Sequence, residues 1–309
     1  MSENSQTVTV IGAGTIGIAW SALFAVNQHS VRLFDVRKGF ESDTIAPLRR
    51  MIGQLTDEVD VALGRISFHG SLEVALEGAT VVQENGPENP GFKQNIFAEV
   101  EAIADKDALL ISSTSGIPPA NIGEKMQNPA RVLIGHPLNP PHLMPLVEVC
   151  GTESVDEALI DRVNAFYQSN ARVPVRLHKP VAGFVVNRLQ MAMLREAIHL
   201  VGEGVVDIDG IDKVVLNSVG VRLASIGPML ACHFGGGAGG IREMVEKIVG
   251  SLFAAMDLPP VDSRTLDLLE AQAAKHYPLD RLGEFAAVRD RRQAAALDVQ
   301  HKNPLPQMA

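Results

Sequence analysis

An α/β fold with a doubly wound, mainly parallel sheet, followed by an all-α domain, is predicted by three observations along the 309 residues. Short β-branched runs alternate with amphipathic stretches from Thr7 to about Leu177, the arrangement that builds a parallel sheet covered by helices. A glycine-rich turn joins the first run to a helix, and the strand signal stops after about Pro180.

In chain order, the strand segments are TVTVI, VRLF, ATVVQE, ALLIS, RVLIG, PLVEV and RVPVRL. They are short and β-branched, which separates them from pieces of helix. After VRLF no clear strand is expected across the 45 residues from Val36 to Thr80. From Gly183 the period becomes helical, with Val186, Leu189, Met193, Ala197 and Leu200 at three- and four-residue steps and a stop near Gly202 and Gly204. Further helices are expected to about Ala296, and HKNPLPQMA reads as a loose tail. The composition shift near Ala182 divides the chain into residues 1–181, a dinucleotide-binding domain, and residues 182–309, an all-helical domain.

Apolar residues at 46% and charged residues at 20% describe a globular chain rather than a disordered one. A formal charge of -9 argues against nucleic acid or an anionic membrane surface as partner, since both require a basic footprint. Cys150 and Cys232 stand far apart, so neither a disulfide framework nor a cysteine metal site is implied; no metal is expected, and a reducing cytoplasm suits the chain. MSENSQ lacks the basic and apolar regions of a signal peptide. Leu223 to Ile241 runs nineteen residues without a formal charge, but a proline, a histidine and six glycines dilute it below a membrane span.

VTVIGAGTIGIAW places G-x-G-x-x-G at Gly12, Gly14 and Gly17, between a strand and a helix. Gly12 allows the tight turn, Gly14 lets backbone approach a pyrophosphate, and Gly17 lets the helix pack on the strand. Residues Gly12, Ala13, Gly14, Thr15, Ile16 and Gly17 then offer helix N-terminal N–H groups and the positive end of the dipole to phosphates. Asp35, eighteen residues after Gly17, can accept both hydrogen bonds from an adenosine ribose diol. Such a carboxylate repels a 2′-phosphate, so NAD is the expected cofactor of this Rossmann-type domain, although Arg37 lies two residues on.

Ligands of open parallel sheets lie outside the carboxyl ends of the strands. LLISSTSGIPP exposes Ser113, Thr114 and Ser115 there, and RVLIGH ends at His136. His136 keeps step with Val132 and Ile134, as Glu148 does with Leu146. If the proline-rich turn of HPLNPPHLMPLVEV folds the second strand back beside the first, Glu148 meets His136 across the ladder and holds one ring nitrogen. The other then faces the cleft as a general base for an alcohol, unless the pair is a structural one. His142 is read as structural. Asn187, polar near the start of an apolar helix, either caps locally or points at the cleft.

These residues resemble the 3-hydroxyacyl-CoA dehydrogenase family. IGAGTIG, PENPGFKQNIFAEVE, SSTSGI, HPLNPPHLMPLVEV and PVAGFVVNRL occur in that family's order and spacing, over essentially the whole chain. The resemblance implies NAD-dependent oxidation of a 3-hydroxy compound, with His136 and Glu148 as the catalytic pair. It implies that Ser115 and Asn187 position the substrate oxygen, that Glu88, Lys93, Ser115 and Asn139 surround the cofactor, and that the helical domain forms a homodimer. It also implies a link with fatty acid metabolism. No basic platform for a CoA phosphate is apparent in the short segment after Asp35, which holds acids beside Arg49, Arg50 and Arg65. Arg222, before Gly227-Pro228, is similar to the branch containing L-gulonate 3-dehydrogenase, lambda-crystallin and carnitine dehydrogenase, whose substrates are free carboxylates. The expected substrate is therefore a small L-3-hydroxy carboxylate such as L-gulonate, with Arg222 as a guanidinium fork or, alternatively, a surface residue. L-3-hydroxyacyl-CoA and carnitine are the alternatives, and a crystallin-like protein without turnover is the reading from another class.

Overall fold

In the computed structural model, residues 5–303 are described, so the N-terminal residues before Ser5 and the tail from Pro304 lie outside them. The described residues divide into two compact units after Ala192.

The first unit carries an eight-stranded sheet in the order β3-β2-β1-β4-β5-β6-β7-β8. Its strands are β1 (Thr7–Ile11), β2 (Ser30–Phe34), β3 (Ile66–His69), β4 (Val81–Glu84), β5 (Leu109–Ser112), β6 (Val132–Pro137), β7 (Leu146–Gly151) and β8 (Val173–Arg176). All neighbours run parallel except β6 and β7. The strand order reverses between β1 and β4, which makes the crevice beyond Ile11 and Glu84 the switch point of the sheet.

Among the described residues, seven α-helices lie wholly in this unit: α1 (Thr15–Val26), α2 (Phe40–Gly53), α3 (Val59–Leu63), α4 (Leu72–Leu76), α5 (Pro90–Ile103), α6 (Pro119–Ile122) and α7 (Glu157–Ser169). Strands β4, β5 and β6 are buried along their whole length, as expected for a sheet covered on both faces. One face packs on α1, α2 and α7, where Trp20 stacks on Phe24 at 5.2 Å and Phe24 meets Phe166 at the same distance. On the other face Ile96, Phe97 and Val100 of α5 join Leu72, Leu76 and Phe184.

β3 was not expected between Val36 and Thr80. It is an edge strand in which only Ile66 is buried, so its four residues carry too little apolar pattern to stand out from a loop. Pro174 fits within β8 because that strand also lies at an edge, where a missing N–H leaves no ladder bond unmade.

Helix α8 (Phe184–Gly202) crosses from the first unit into the second. The second unit continues with α9 (Ile208–Leu216), α10 (Val219–Ser225), α11 (Pro228–Gly235), α12 (Gly240–Met244), a π-helical turn (Val245–Val249), α13 (Gly250–Ala255), α14 (Ser263–His276) and α15 (Leu282–Lys302). The tail expectation therefore fails at His301 and Lys302, which complete the last turn of α15. Ile241, Val245, Leu266 and Ala273 form the buried apolar cluster of this unit. Among the described residues no single helix is long and apolar enough to cross a membrane, and the Leu223–Ile241 segment is broken between α10 and α11.

Candidate active site

The glycine pattern meets three different needs. Gly12 has φ +93°, and a Cβ there would come within 2.9 Å of the Asn85 carbonyl oxygen. A Cβ on Gly17 would fall 1.8 Å from the Gly12 oxygen, so this close helix–strand contact admits no side chain. Around Gly14 nothing lies within 4 Å, which is the open approach a pyrophosphate requires. No side chain caps α1, so the first-turn N–H groups at Thr15, Ile16 and Gly17 remain available to an anion.

A cavity of about 470 Å³ adjoins this turn, lined in part by Ile11, Phe34, Leu72, Phe92 and Ile96, with Asp35 and Arg37 on its polar side. Its size lies within the range of small-molecule sites, roughly 300–1,000 Å³. Asp35 follows β2, and its Oδ2 accepts from the Ala13 N–H at 2.8 Å. Its Oδ1 accepts from the N–H and Nε–H of Arg37 at 2.9 and 3.0 Å. Burial alone would raise the Asp35 carboxyl, but the bonds from Arg37 and Ala13 outweigh it and hold its pKa below the ordinary range. A phosphate-binding turn, an apolar slot and a carboxylate at the ribose end together fit a dinucleotide.

His136 and Glu148 face each other in the antiparallel register of β6 and β7, with Nδ1 2.9 Å from Glu148 Oε2. The residues are 4% and 2% exposed. The other carboxylate oxygen, Oε1, accepts from the Val185 and Val186 N–H groups at 2.8 and 3.0 Å, so the first turn of α8 caps Glu148. Burial pushes the Glu148 carboxyl up, yet the bonds from His136, Val186 and Val185 more than compensate and keep it low. A carboxylate so anchored accepts a hydrogen bond from Nδ1–H and leaves the Nε2 lone pair as the ring's basic position. Phe184, at φ +48° and next to Gly183 at φ +74°, packs its ring 5.1 Å from the imidazole. A bulky residue in that backbone region is strained, and such strain gathers at functional sites.

The remaining expected residues fall as follows. Ser115 is exposed in the loop after β5, and its N–H donates to Glu88 Oε1 at 2.9 Å. The same oxygen accepts from Thr114 Oγ1 at 2.6 Å and Gly116 N–H at 3.1 Å, so Glu88 gathers the hydroxyl-rich loop. Lys93 is 1% exposed; its ammonium donates to both oxygens of Glu84 at 2.9 and 2.8 Å and lies 3.7 Å from Glu88. It thus acts on two carboxylates rather than on solvent. Asn139 is exposed in the turn after β6, at the edge where β5 and β6 both end. Asn187 is half-buried in the first turn of α8, and its side chain has no hydrogen bond to a described residue, so it is not used as a local cap. Arg222 is exposed on α10, in the second unit. His142 bonds Gln54 at 2.7 Å through Nε2, and Arg172 donates to the Pro141 and Met144 carbonyls at 2.9 and 3.1 Å, so both tie down the proline-rich turn.

Glu84 was missed. It also accepts from Ser112 Oγ and Gly86 N–H, both at 2.6 Å, and so joins the ends of β4 and β5. Its signal was available as an acid ending the short strand VVQE, with a lysine nine residues on. Gln83, Asn85, Ser113 and Trp20 form a second network, in which Ser113 Oγ donates to Asn85 at 2.7 Å and accepts from Gln83 at 2.8 Å and Trp20 at 3.1 Å. Among the described residues no group of three acids, histidines or cysteines could hold a metal ion.

The family model for the 3-hydroxyacyl-CoA dehydrogenase NAD binding domain matches residues 7–180, and that for the family's C-terminal domain matches residues 183–275. The chain belongs to the 3-hydroxyacyl-CoA dehydrogenase family. As a member it is an NAD-dependent oxidoreductase acting on small hydroxy compounds. It is 33% identical over 245 residues to an L-carnitine dehydrogenase of Oceanobacillus iheyensis, covering 78% of this chain and 80% of that protein. It is 37% identical over 234 residues to a lambda-crystallin homolog of Bos taurus, covering 73% of each. Among solved structures it is similar to the 5-dehydrogenase of 5-formyl-3-hydroxy-2-methylpyridine 4-carboxylic acid, described as an NAD+ dependent dismutase. That likeness has a TM-score of 0.73, 28% identity and coverage of 96% of this chain and 97% of the other.

Proposed function

We propose that the protein oxidises a small L-3-hydroxy carboxylate, L-gulonate or a close analogue, to the 3-oxo acid. The observation that carries this reading is the buried His136–Glu148 pair, capped by α8, at the sheet edge where the phosphate-binding turn also opens. His136 Nε2 takes the hydroxyl proton as the carbonyl double bond forms and the hydrogen on carbon departs as hydride; Glu148 stabilises the imidazolium that results. Bound NAD supplies the hydride acceptor. Gly12 to Gly17 receive its pyrophosphate and Asp35 its adenosine ribose. Glu88 and Asn139 border the nicotinamide side, and Lys93 supports that border through Glu84 and Glu88. Ser115 and Asn187 donate to the substrate oxygen, which orients the alcohol toward His136 and steadies negative charge as the proton leaves.

Arg222 is the proposed fork for the substrate carboxylate. Two relatives favour a free acid over a thioester: carnitine carries a carboxylate, and the pyridine compound is named as a carboxylic acid. L-Carnitine itself is the second reading, favoured by the 33% identical relative. Exposed apolar side chains on the helical unit, Ile198, Val205, Ile208 and Val214 among them, support a homodimer formed through that unit.

The test is NADH formation by purified protein with L-gulonate, L-carnitine, L-3-hydroxybutyrate and L-3-hydroxybutyryl-CoA side by side. The free gulonate is expected to show the highest kcat/KM. A higher value for the thioester would refute the carboxylate reading and leave the base assignment intact.

A further inference from the structure

We propose that Arg37 decides which adenosine ribose the protein accepts, and that the Asp35–Arg37 pair admits NADP as well as NAD. The inference rests on the cofactor site described above and concerns its ribose end.

An aspartate at the end of the second strand favours a free ribose diol because its charge repels a 2′-phosphate. Here the charge is already matched. Arg37 Nε meets Asp35 Oδ1 at 3.0 Å, and Nη2 meets Oδ2 at 3.2 Å, a two-pronged pair that is neutral as a unit. The same Nη2 donates to the Ala13 carbonyl at 3.0 Å, which fastens the guanidinium across the phosphate-binding turn. Asp35 meanwhile accepts from four N–H donors, those of Ala13 N, Arg37 N, Arg37 Nε and Arg37 Nη2. A ribose diol must displace some of them, whereas a phosphate needs no such exchange.

Arg37 is also accessible. Its side chain is 54% exposed against 11% for Asp35, and both residues line the cavity beside the turn. Nη1 holds no bond to a described residue, so two N–H donors remain on a guanidinium whose orientation is already fixed. Lys38 adds a second positive charge next in the chain. Glu41 and Asp43 in the first turn of α2 oppose these charges, which is why both cofactors rather than NADP alone are expected.

The decisive experiment measures binding without turnover, by titration calorimetry of the whole protein with 5′-AMP and 2′,5′-ADP, followed by NAD and NADP. In the wild type, 2′,5′-ADP is expected to bind within about tenfold of 5′-AMP. Arg37→Ala should weaken 2′,5′-ADP by about tenfold or more, the scale of one charge-assisted contact, while 5′-AMP changes by less than about threefold. Arg37→Gln, which keeps the stem and loses the charge, should behave alike. Added salt should weaken 2′,5′-ADP more than 5′-AMP. Wild-type binding of 2′,5′-ADP about a hundredfold or more below 5′-AMP would overturn the proposal. Equal weakening of both fragments in the variants would also overturn it, by showing that Arg37 only steadies Asp35. Failure of 5′-AMP and NAD themselves to bind would instead overturn the cofactor site, and this inference with it.

Discussion

The two units of the chain use their apolar residues differently. In the first, both faces of the sheet are covered, and residues such as Val10, Leu33, Leu110 and Ile134 are wholly buried between strands and helices. In the second, the buried apolar cluster is small, and helices α9, α13 and α15 bury no residue. Ile208 is 75% exposed and Ile198 64%. The first unit therefore closes its own core and can hold polar groups at fixed distances at one edge. The second presents exposed apolar faces, the ones that the proposed homodimer would cover.

The largest expected effect breaks the first unit at its tightest contact. Gly17→Ala puts a methyl group 1.8 Å from the Gly12 oxygen, so NAD affinity measured by calorimetry should fall on the order of a hundredfold or more. Next comes Glu148→Gln, which removes the anion behind the imidazole. It should lower kcat between about tenfold and a few hundredfold with a smaller change in KM. On the second unit, Ile198→Glu with Ile208→Glu should convert a dimer to a monomer in sedimentation velocity and leave NAD affinity unchanged. A wild-type monomer would contradict the proposed covering of these faces.

The smallest effect concerns pH. Burial lowers the pKa values of His29 and His142, despite the Asn170 bond to the first and with help from Arg172 and Arg50 at the second. Their folded pKa values lie below the unfolded one, near 6.5, so the stability they contribute is complete above that pH. It is lost as pH falls from about 6.5 through the folded values, because the unfolded chain takes up protons first. Thermal melts of the wild type from pH 7.5 to 5.5 should drop accordingly. His142→Gln should flatten the slope by no more than about 1.4 kcal/mol per pH unit.

Much of the first unit was legible because its signals are local. Short runs of Val, Ile and Leu marked every strand but β3, the unburied β8 included, and the glycine spacing marked the cofactor turn. The His136–Glu148 register could be read because alternation fixes which side chains share a face, and a short proline-rich turn limits how two strands pair. What escaped the sequence depends on distant partners. The cap of Glu148 by α8 spans 37 residues to Val185, and Ser112 reaches Glu84 over 28. Arg37 was visible beside Asp35, but not its bond to Ala13, which depends on how β1 and β2 pair. The role of Arg222 escapes for a further reason: it stands exposed on the short helix α10, which lacks the alternation that made the strands readable.

His136→Gln is the direct test of the central claim that His136 is the general base. The purified variant would be assayed for NADH formation at saturating hydroxy acid, with NAD affinity measured separately by calorimetry. The predicted result is a loss of kcat of about 10²–10⁴-fold with NAD affinity unchanged. Turnover at the wild-type rate would contradict the account, because the proton would then have to leave through another group.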